Sequence, residues 1–261
     1  MNRLTKLFAE KRENILNIYF TAGYPKLDDL VEIGLALERS GVDILEIGIP
    51  YSDPLADGPT IQASSQQALK NGMNVRLLFT QVEDLRKHTE IPIILMGNFN
   101  QVMQYGENQF FRKCKEVGVD GVILPDMPTY VYEEQFKALF EELDLGITFL
   151  VAPQTELERL RKIDELTRGF VYVVSSAAIT GGVGGVTDTQ EAYFERITSF
   201  GWHHPTLIGF GIKDAQSFAK ACKYANGAII GSAFIRALAD SQDLSETISD
   251  FVAGILPRDP L

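Results

Sequence analysis

The chain has 261 residues, 45% of them hydrophobic and 23% charged, with a formal net charge of −11. That length is long for an ordinary domain but usual for an α/β barrel. The acidic balance, with no clustered Lys/Arg run, argues against a nucleic-acid partner, although backbone N–H groups still allow a small anionic ligand. Cys114 and Cys222 are the only cysteines, no Cys-x-x-Cys occurs, and His203 and His204 are adjacent and point apart on a strand. Two reduced thiols and no metal site are expected.

Met1 to Arg12 reads as an amphipathic helix, without the long apolar core and cleavage site of a signal peptide. No apolar run is long enough to span a bilayer, so a soluble, cytoplasmic protein is expected. The first strand is expected over Ile15–Phe20, followed by Thr-Ala-Gly-Tyr-Pro25 and a helix face of Leu27, Leu30, Val31, Gly34 and Leu37. The second, Val42–Ile49, is a β-branched run that carries Glu46 and opens into a Pro/Gly-rich loop with Asp53 and Asp57. Val75, Leu78, Phe79, Val82 and Leu85 mark another helix face. Strands over Ile91–Met96 and Gly121–Leu124 end in Gly97-Asn98-Phe99-Asn100 and Pro125-Asp126-Met127-Pro128. A helix over Glu133 to Leu143, a strand over Ile147–Val151 and a helix over Glu156 to Leu166 follow. Strand Phe170–Val174 leads into Ser175 to Asp188, with Ile-Thr-Gly-Gly-Val-Gly-Gly inside it. The last units are strand Thr206–Gly209 with Gly209-Phe-Gly211, a helix over Ala215 to Tyr224, and strand Gly227–Ile230 ending in Gly231-Ser232.

Buried, non-alternating strands that alternate with helices mean a parallel sheet covered by helices. About eight such units fit an α/β fold of the (β/α)8 TIM barrel type, here with an N-terminal extra helix. The competitor is an open doubly wound sheet, which usually carries Gly-x-Gly-x-x-Gly after its first strand; Thr-Ala-Gly-Tyr-Pro is not that motif. No linker or composition break interrupts residues 1–261, so one domain is expected.

In such a barrel the chemistry lies at the C-terminal ends of the strands. A carboxylate in a buried strand is costly unless paired or protonated, which makes Glu46 a candidate catalytic group, with a structural ion pair as the alternative. Asp57 is either its acid–base companion or a turn residue of an Asp-Gly step. Gly211 and Gly231-Ser232, in adjacent loops, fit a phosphate held by backbone N–H groups; the alternative is a plain helix cap. The four glycines after Thr180 form either a floppy connection or a lid, and the segment's length and catalytic-face position favour a lid, at whose start Thr180 is able to bond a catalytic carboxylate.

Glu46-Ile-Gly-Ile-Pro-Tyr-Ser-Asp-Pro-Leu-Ala-Asp-Gly-Pro-Thr-Ile-Gln62 is a specific signature. Together with Phe20 to Pro25, Pro125 to Pro128, Thr180-Gly181, Gly209 to Ile212 and Gly227 to Ser232, it makes the chain resemble the α subunit family of tryptophan synthase along almost its whole length. The resemblance implies a lyase of tryptophan biosynthesis that cleaves indole-3-glycerol phosphate to indole and glyceraldehyde 3-phosphate. Glu46 would be the acid–base group and Asp57 the anion facing the indole nitrogen. Tyr19, Ile61 and Ile123 would wall the indole pocket, Tyr172 would lie along the glycerol chain, and Thr180 would hold Asp57. Gly181, Gly211, Gly231 and Ser232 would bind phosphate. The family implies no cofactor in this chain and a β subunit carrying pyridoxal phosphate, in an α2β2 tetramer, facing Pro50, Asp53 and Pro54.

Three positions depart from the family pattern. Tyr19 stands where many relatives have phenylalanine. Ser175-Ser176-Ala177-Ala178 lacks the arginine usual before the lid. Asn98 replaces an aromatic residue, for which Phe99 is expected to compensate.

Overall fold

The computed structural model describes residues 2–53, 57–174, 188–209 and 211–256. Its strands are β1 (Ile15–Thr21), β2 (Ile44–Gly48), β3 (Ile93–Met96), β4 (Gly121–Ile123), β5 (Gly146–Thr148), β6 (Leu150–Val151), β7 (Val171–Val174), β8 (Thr206–Gly209) and β9 (Gly227–Ile230). They form one sheet in the order β5-β4-β3-β2-β1-β9-β8-β7-β6, parallel at every pairing.

The two ends of that order are one stretch of chain. Only Phe149 separates β5, which pairs with β4, from β6, which pairs with β7. The Phe149 carbonyl accepts from the Tyr172 N–H at 2.9 Å. The strand expected over Ile147–Val151 is therefore a single barrel strand that changes partner midway, and the nine segments fill eight barrel positions. The other strands lie within one or two residues of their expected bounds.

The strand residues divide between two apolar layers. Outward side chains pack beneath the surrounding helices. Inward ones, including Ile15, Ile44, Ile94, Ile123, Phe170, Leu207 and Ile229, fill the lumen. Helix Arg3–Glu10 adds Leu4 and Phe8 to this inner cluster, with the Phe8 ring 6.1 Å from Phe170. The extra N-terminal helix thus plugs the end of the barrel at which the strands begin. Asp120, 2% exposed, ties that end together: it accepts from the Ile93 N–H at 3.0 Å, the Arg3 N–H at 3.2 Å and Arg86 Nη2 at 3.0 Å. A buried carboxylate is tolerated when its oxygens are paired in this way. With that end of the lumen plugged, the lumen itself opens at the other end, where the strands finish. Among the described residues, no helix is long and apolar enough to cross a membrane.

Candidate active site

Glu46 lies in β2 at 1% exposure, facing the lumen, opposite Tyr19 of β1 and Ile94 of β3. Asn17 Nδ2 donates to Glu46 Oε2 at 2.6 Å. Burial pushes the Glu46 carboxyl up to about 8; the Asn17 hydrogen bond pulls against that, and the nearby charge of Asp57 adds to it. The acid is therefore largely protonated near neutral pH.

Asp57 stands just before helix Pro59–Lys70, which Gly58 caps and which begins with proline at its first position. Proline there has its backbone angle preset and loses no needed N–H. Gln62, one turn into the helix, donates from Nε2 to the Asp57 carbonyl at 2.8 Å and so pins the backbone that carries the carboxylate. Burial raises Asp57 to about 6. The two carboxyls thus prefer different protonation states between these values.

Both line a cavity of about 340 Å3 with Tyr19, Ile61, Tyr172, Gly211, Gly231 and Ser232. A second lobe of about 270 Å3 shares Tyr19, Asp57, Met96 and Tyr172 with it and continues past Ile49, Asn98, Pro125 and Val174. These positions come from the barrel strands, from the loops at their C-terminal ends and from the first turns of the helices that follow. Of the residues expected at the site, Ile123 differs: it is fully buried in the lumen cluster, and Met96 of the neighbouring strand occupies the wall. Thr180, Gly181 and Pro54 lie outside the described residues.

Two tyrosines cross the mouth of the barrel over glycines. A Cβ at Gly48 would stand 2.1 Å from the Tyr19 hydroxyl, and one at Gly209 2.2 Å from that of Tyr172. Both rings are buried against the barrel on one side and border the cavity on the other, so the cavity is the space into which they can yield. Gly48→Ala is expected to cost about 1–3 kcal/mol of stability through overpacking, read by urea denaturation, and to raise KM as Tyr19 is forced into the cavity. The Tyr19 hydroxyl lies 3.4 Å from Thr21 Oγ1, which in turn meets Ser64 Oγ at 2.7 Å. The added hydroxyl is therefore held by a small polar chain beneath the cavity wall.

At the far end of the larger lobe, Gly231 caps helix Ser232–Ala239 without a side-chain cap hydrogen bond. Among the described residues no side chain caps the first N–H groups of that helix, beside Gly211 and Ser232, which suits an anion. Lys213 and Arg236 line the same lobe, and Arg236 Nη1 donates to Thr60 Oγ1 at 3.3 Å. Neither residue is marked by the sequence; the only signal is the place of Arg236, one turn beyond Ser232.

Asn98 lines the smaller lobe, but Phe99 does not compensate for the missing aromatic there. Its ring packs edge-on against Phe136 at 5.8 Å, towards the outer core. Pro50, expected at a partner surface, is buried, and its carbonyl accepts from Gln101 Nε2 at 2.8 Å; Asp53 is exposed. His203, outside this cavity, pairs through Nδ1 with Asp164 at 2.6 Å.

Residues 4–253 match the family model described as tryptophan synthase alpha chain. The chain belongs to the tryptophan synthase alpha chain family. It is 52% identical to the tryptophan synthase alpha chain of Flavobacterium johnsoniae over 255 residues, which cover 98% of this chain and all of that one. It is 48% identical to that of Phocaeicola vulgatus, over 96% of this chain and 97% of the relative. Among solved structures, tryptophan synthase subunit alpha from Legionella pneumophila superposes with a TM-score of 0.89 at 30% identity, covering 98% of this chain and 97% of that one. A chain of the tryptophan synthase complex from Pyrococcus furiosus superposes with a TM-score of 0.85 at 32% identity, over 95% of this chain and 100% of that one. The (β/α)8 architecture is thus that of solved members of the alpha chain family.

Proposed function

We propose that this chain is a cytoplasmic lyase, one barrel domain, that cleaves indole-3-glycerol phosphate to indole and glyceraldehyde 3-phosphate and passes indole to a β subunit for tryptophan synthesis. The observation that carries this is the pairing of a buried Glu46 with Asp57 in one cavity that ends at a helix start without a side-chain cap. Glu46 gives its proton to ring carbon C3 of the indole, where an uncharged aromatic carbon needs a well-placed acid. The ring becomes a cation, and Asp57 stabilises the charge at its nitrogen. The Glu46 carboxylate then takes the proton of the glycerol hydroxyl next to the ring. The O–H electrons form the aldehyde carbonyl, the carbon–carbon bond breaks, and its electron pair returns to the indole. The net change moves one proton from oxygen to carbon, so Glu46 ends as it began and no co-reactant is consumed.

Tyr19 and Ile61 wall the ring, and Tyr172 lies along the glycerol chain. Gly211, Gly231 and Ser232 hold the phosphate through N–H groups, with Lys213 and Arg236 adding positive charge. By family resemblance Thr180 orients Asp57 and Gly181 joins the phosphate contacts. The step uses side chains and backbone of this chain alone; pyridoxal phosphate belongs to the β subunit of an α2β2 assembly.

Several features support the partner surface. The loops after β2, β3 and β4 are laced together: Asn100 Nδ2 donates to the Tyr51 hydroxyl at 3.2 Å, and the Phe99 N–H donates to Asp126 at 2.8 Å. Beside them Met103 and Tyr130 are 53% and 62% exposed, an apolar presentation that suits a protein partner. The deciding assay incubates the chain with indole-3-glycerol phosphate. Indole and glyceraldehyde 3-phosphate are expected in equal amounts, with tryptophan replacing indole once a complete β subunit reaction is added. Absence of indole in both arms overturns the proposal.

A further inference from the structure

Asn17 stands in β1 opposite Ile44 of β2 and Ile229 of β9, a carboxamide beside a mainly apolar lumen cluster. It is 0% exposed. Its Nδ2 donates to Glu46 Oε2 at 2.6 Å, while its Oδ1 has no hydrogen-bond partner among the described residues. A buried oxygen left unpaired costs stability, so an apolar residue of the same shape would serve the core better. Asn17 does not line either lobe of the cavity, so it is placed to act on the substrate only through Glu46.

We infer that Asn17 is a positioning residue for Glu46: its amide N–H fixes Oε2 as an acceptor, so that the transferable proton sits on Oε1. This rests on the acid–base role proposed for Glu46. A carboxylic acid has two oxygens, and a donor aimed at one forces the proton onto the other. The same contact also persists when Glu46 has given its proton away, because Oε2 accepts in both states. One fixed amide therefore holds the carboxyl through the whole proton cycle without rearranging. The titratable groups facing Glu46 are Tyr19 from β1, Tyr172 from β7 and Asp57 from the loop after β2. The Asn17 N–H opposes the effect of burial and of Asp57 on Glu46.

The test compares wild type with Asn17→Leu, which keeps the shape, and Asn17→Asp, which keeps the shape but replaces the donor by a second acid. In Asn17→Leu, kcat for indole formation is expected to fall about ten- to a hundredfold through loss of orientation, with KM unchanged. The alkaline limb of the kcat profile is expected to move up by about one pH unit, since a hydrogen bond favouring the charged form is gone. Thermal stability is expected to change little, because relief of the unpaired Asn17 Oδ1 is offset by the Glu46 Oε2 left without its donor. Asn17→Asp is expected to move the limb upward as well, since a second acid beside Glu46 disfavours its ionisation.

A purely structural role predicts instead a loss of stability with an unmoved limb, and that result overturns the inference, as do unchanged kcat and limb in both variants. Should the wild type make no indole, the proposed reaction falls while the Asn17 question stays open to measurement. Carboxyl carbon NMR of Glu46 in wild type and Asn17→Leu then decides it: a higher titration midpoint in the variant supports the contact, and an equal one overturns it.

Discussion

Glu46→Gln is expected to lower indole release by about a thousandfold or more, because general acid–base catalysis commonly contributes about 10²–10⁴ and Glu46 is used twice in each turnover. Glutamine has nearly the same shape, and its carbonyl oxygen can take the place of Glu46 Oε2 as the acceptor for Asn17, so the cavity should survive. It cannot deliver a proton to carbon. Binding of glyceraldehyde 3-phosphate, which reports the phosphate end, should match the wild type in a calorimetric titration. A variant with full activity removes Glu46 from the mechanism. Loss of product binding together with activity means that the cavity itself has collapsed.

The same variant carries a stability signature with a definite sign. The folded-state value of Glu46 is raised, to about 8, by burial. Its favourable contribution is therefore complete below the ordinary carboxyl range and is lost as pH rises towards about 8. Glutamine has no such charge to desolvate. Relative to wild type, Glu46→Gln should gain stability as pH rises across that window, seen as a diverging pair of urea midpoints.

Much of this is legible in the residues. The strands stand out because each is a short, apolar, β-branched run, and parallel strands buried on both faces leave just that pattern. Glu46 stands out for the same reason: one acid in such a run has no cheap explanation. The helices are less legible. Helix Pro59–Lys70 buries Ile61, Ser64, Ser65 and Ala68, and small or polar residues on the inner face blur the 3.6-residue period. The break at Phe149 is not visible, because a change of pairing partner leaves no mark on hydrophobicity.

The site is legible where a residue type is odd for its element and illegible where geometry alone decides. Asn17 sits two residues before Tyr19 and thus on the same strand face, yet nothing in the sequence says which neighbour it meets; closing the barrel brings it to Glu46. Ile123 and Met96 illustrate the converse. Both are apolar, end adjacent strands and stand opposite each other in the sheet, yet only the methionine reaches the wall, which no feature of the sequence announces. Phe99 lies inside an expected loop but turns outward, because helix Phe99–Tyr105 begins at that residue and directs its ring to Phe136.

Asp57→Asn is expected to lower kcat by about a hundredfold or more, the usual cost of removing one preorganised electrostatic contact from a transition state. The pH profile says whether the loss has the proposed cause. Asp57 works as an anion, and burial raises it to about 6, so the wild-type rate should climb through that value. Glu46 must begin protonated, so the rate should fall through about 8. The limbs belong to the coupled pair and not to two independent groups, because the Asp57 charge is one of the causes that holds Glu46 high. The asparagine that replaces Asp57 carries no charge and does not titrate. The variant's profile should therefore lose the acid limb, and its alkaline limb should move down, the opposite of the shift expected for Asn17→Leu. An Asp57→Asn enzyme that keeps an acid limb near the wild-type value places that titration on another group and removes Asp57 from the charge-stabilising role. One that loses rate but keeps the alkaline limb in place breaks the electrostatic link between the two carboxyls.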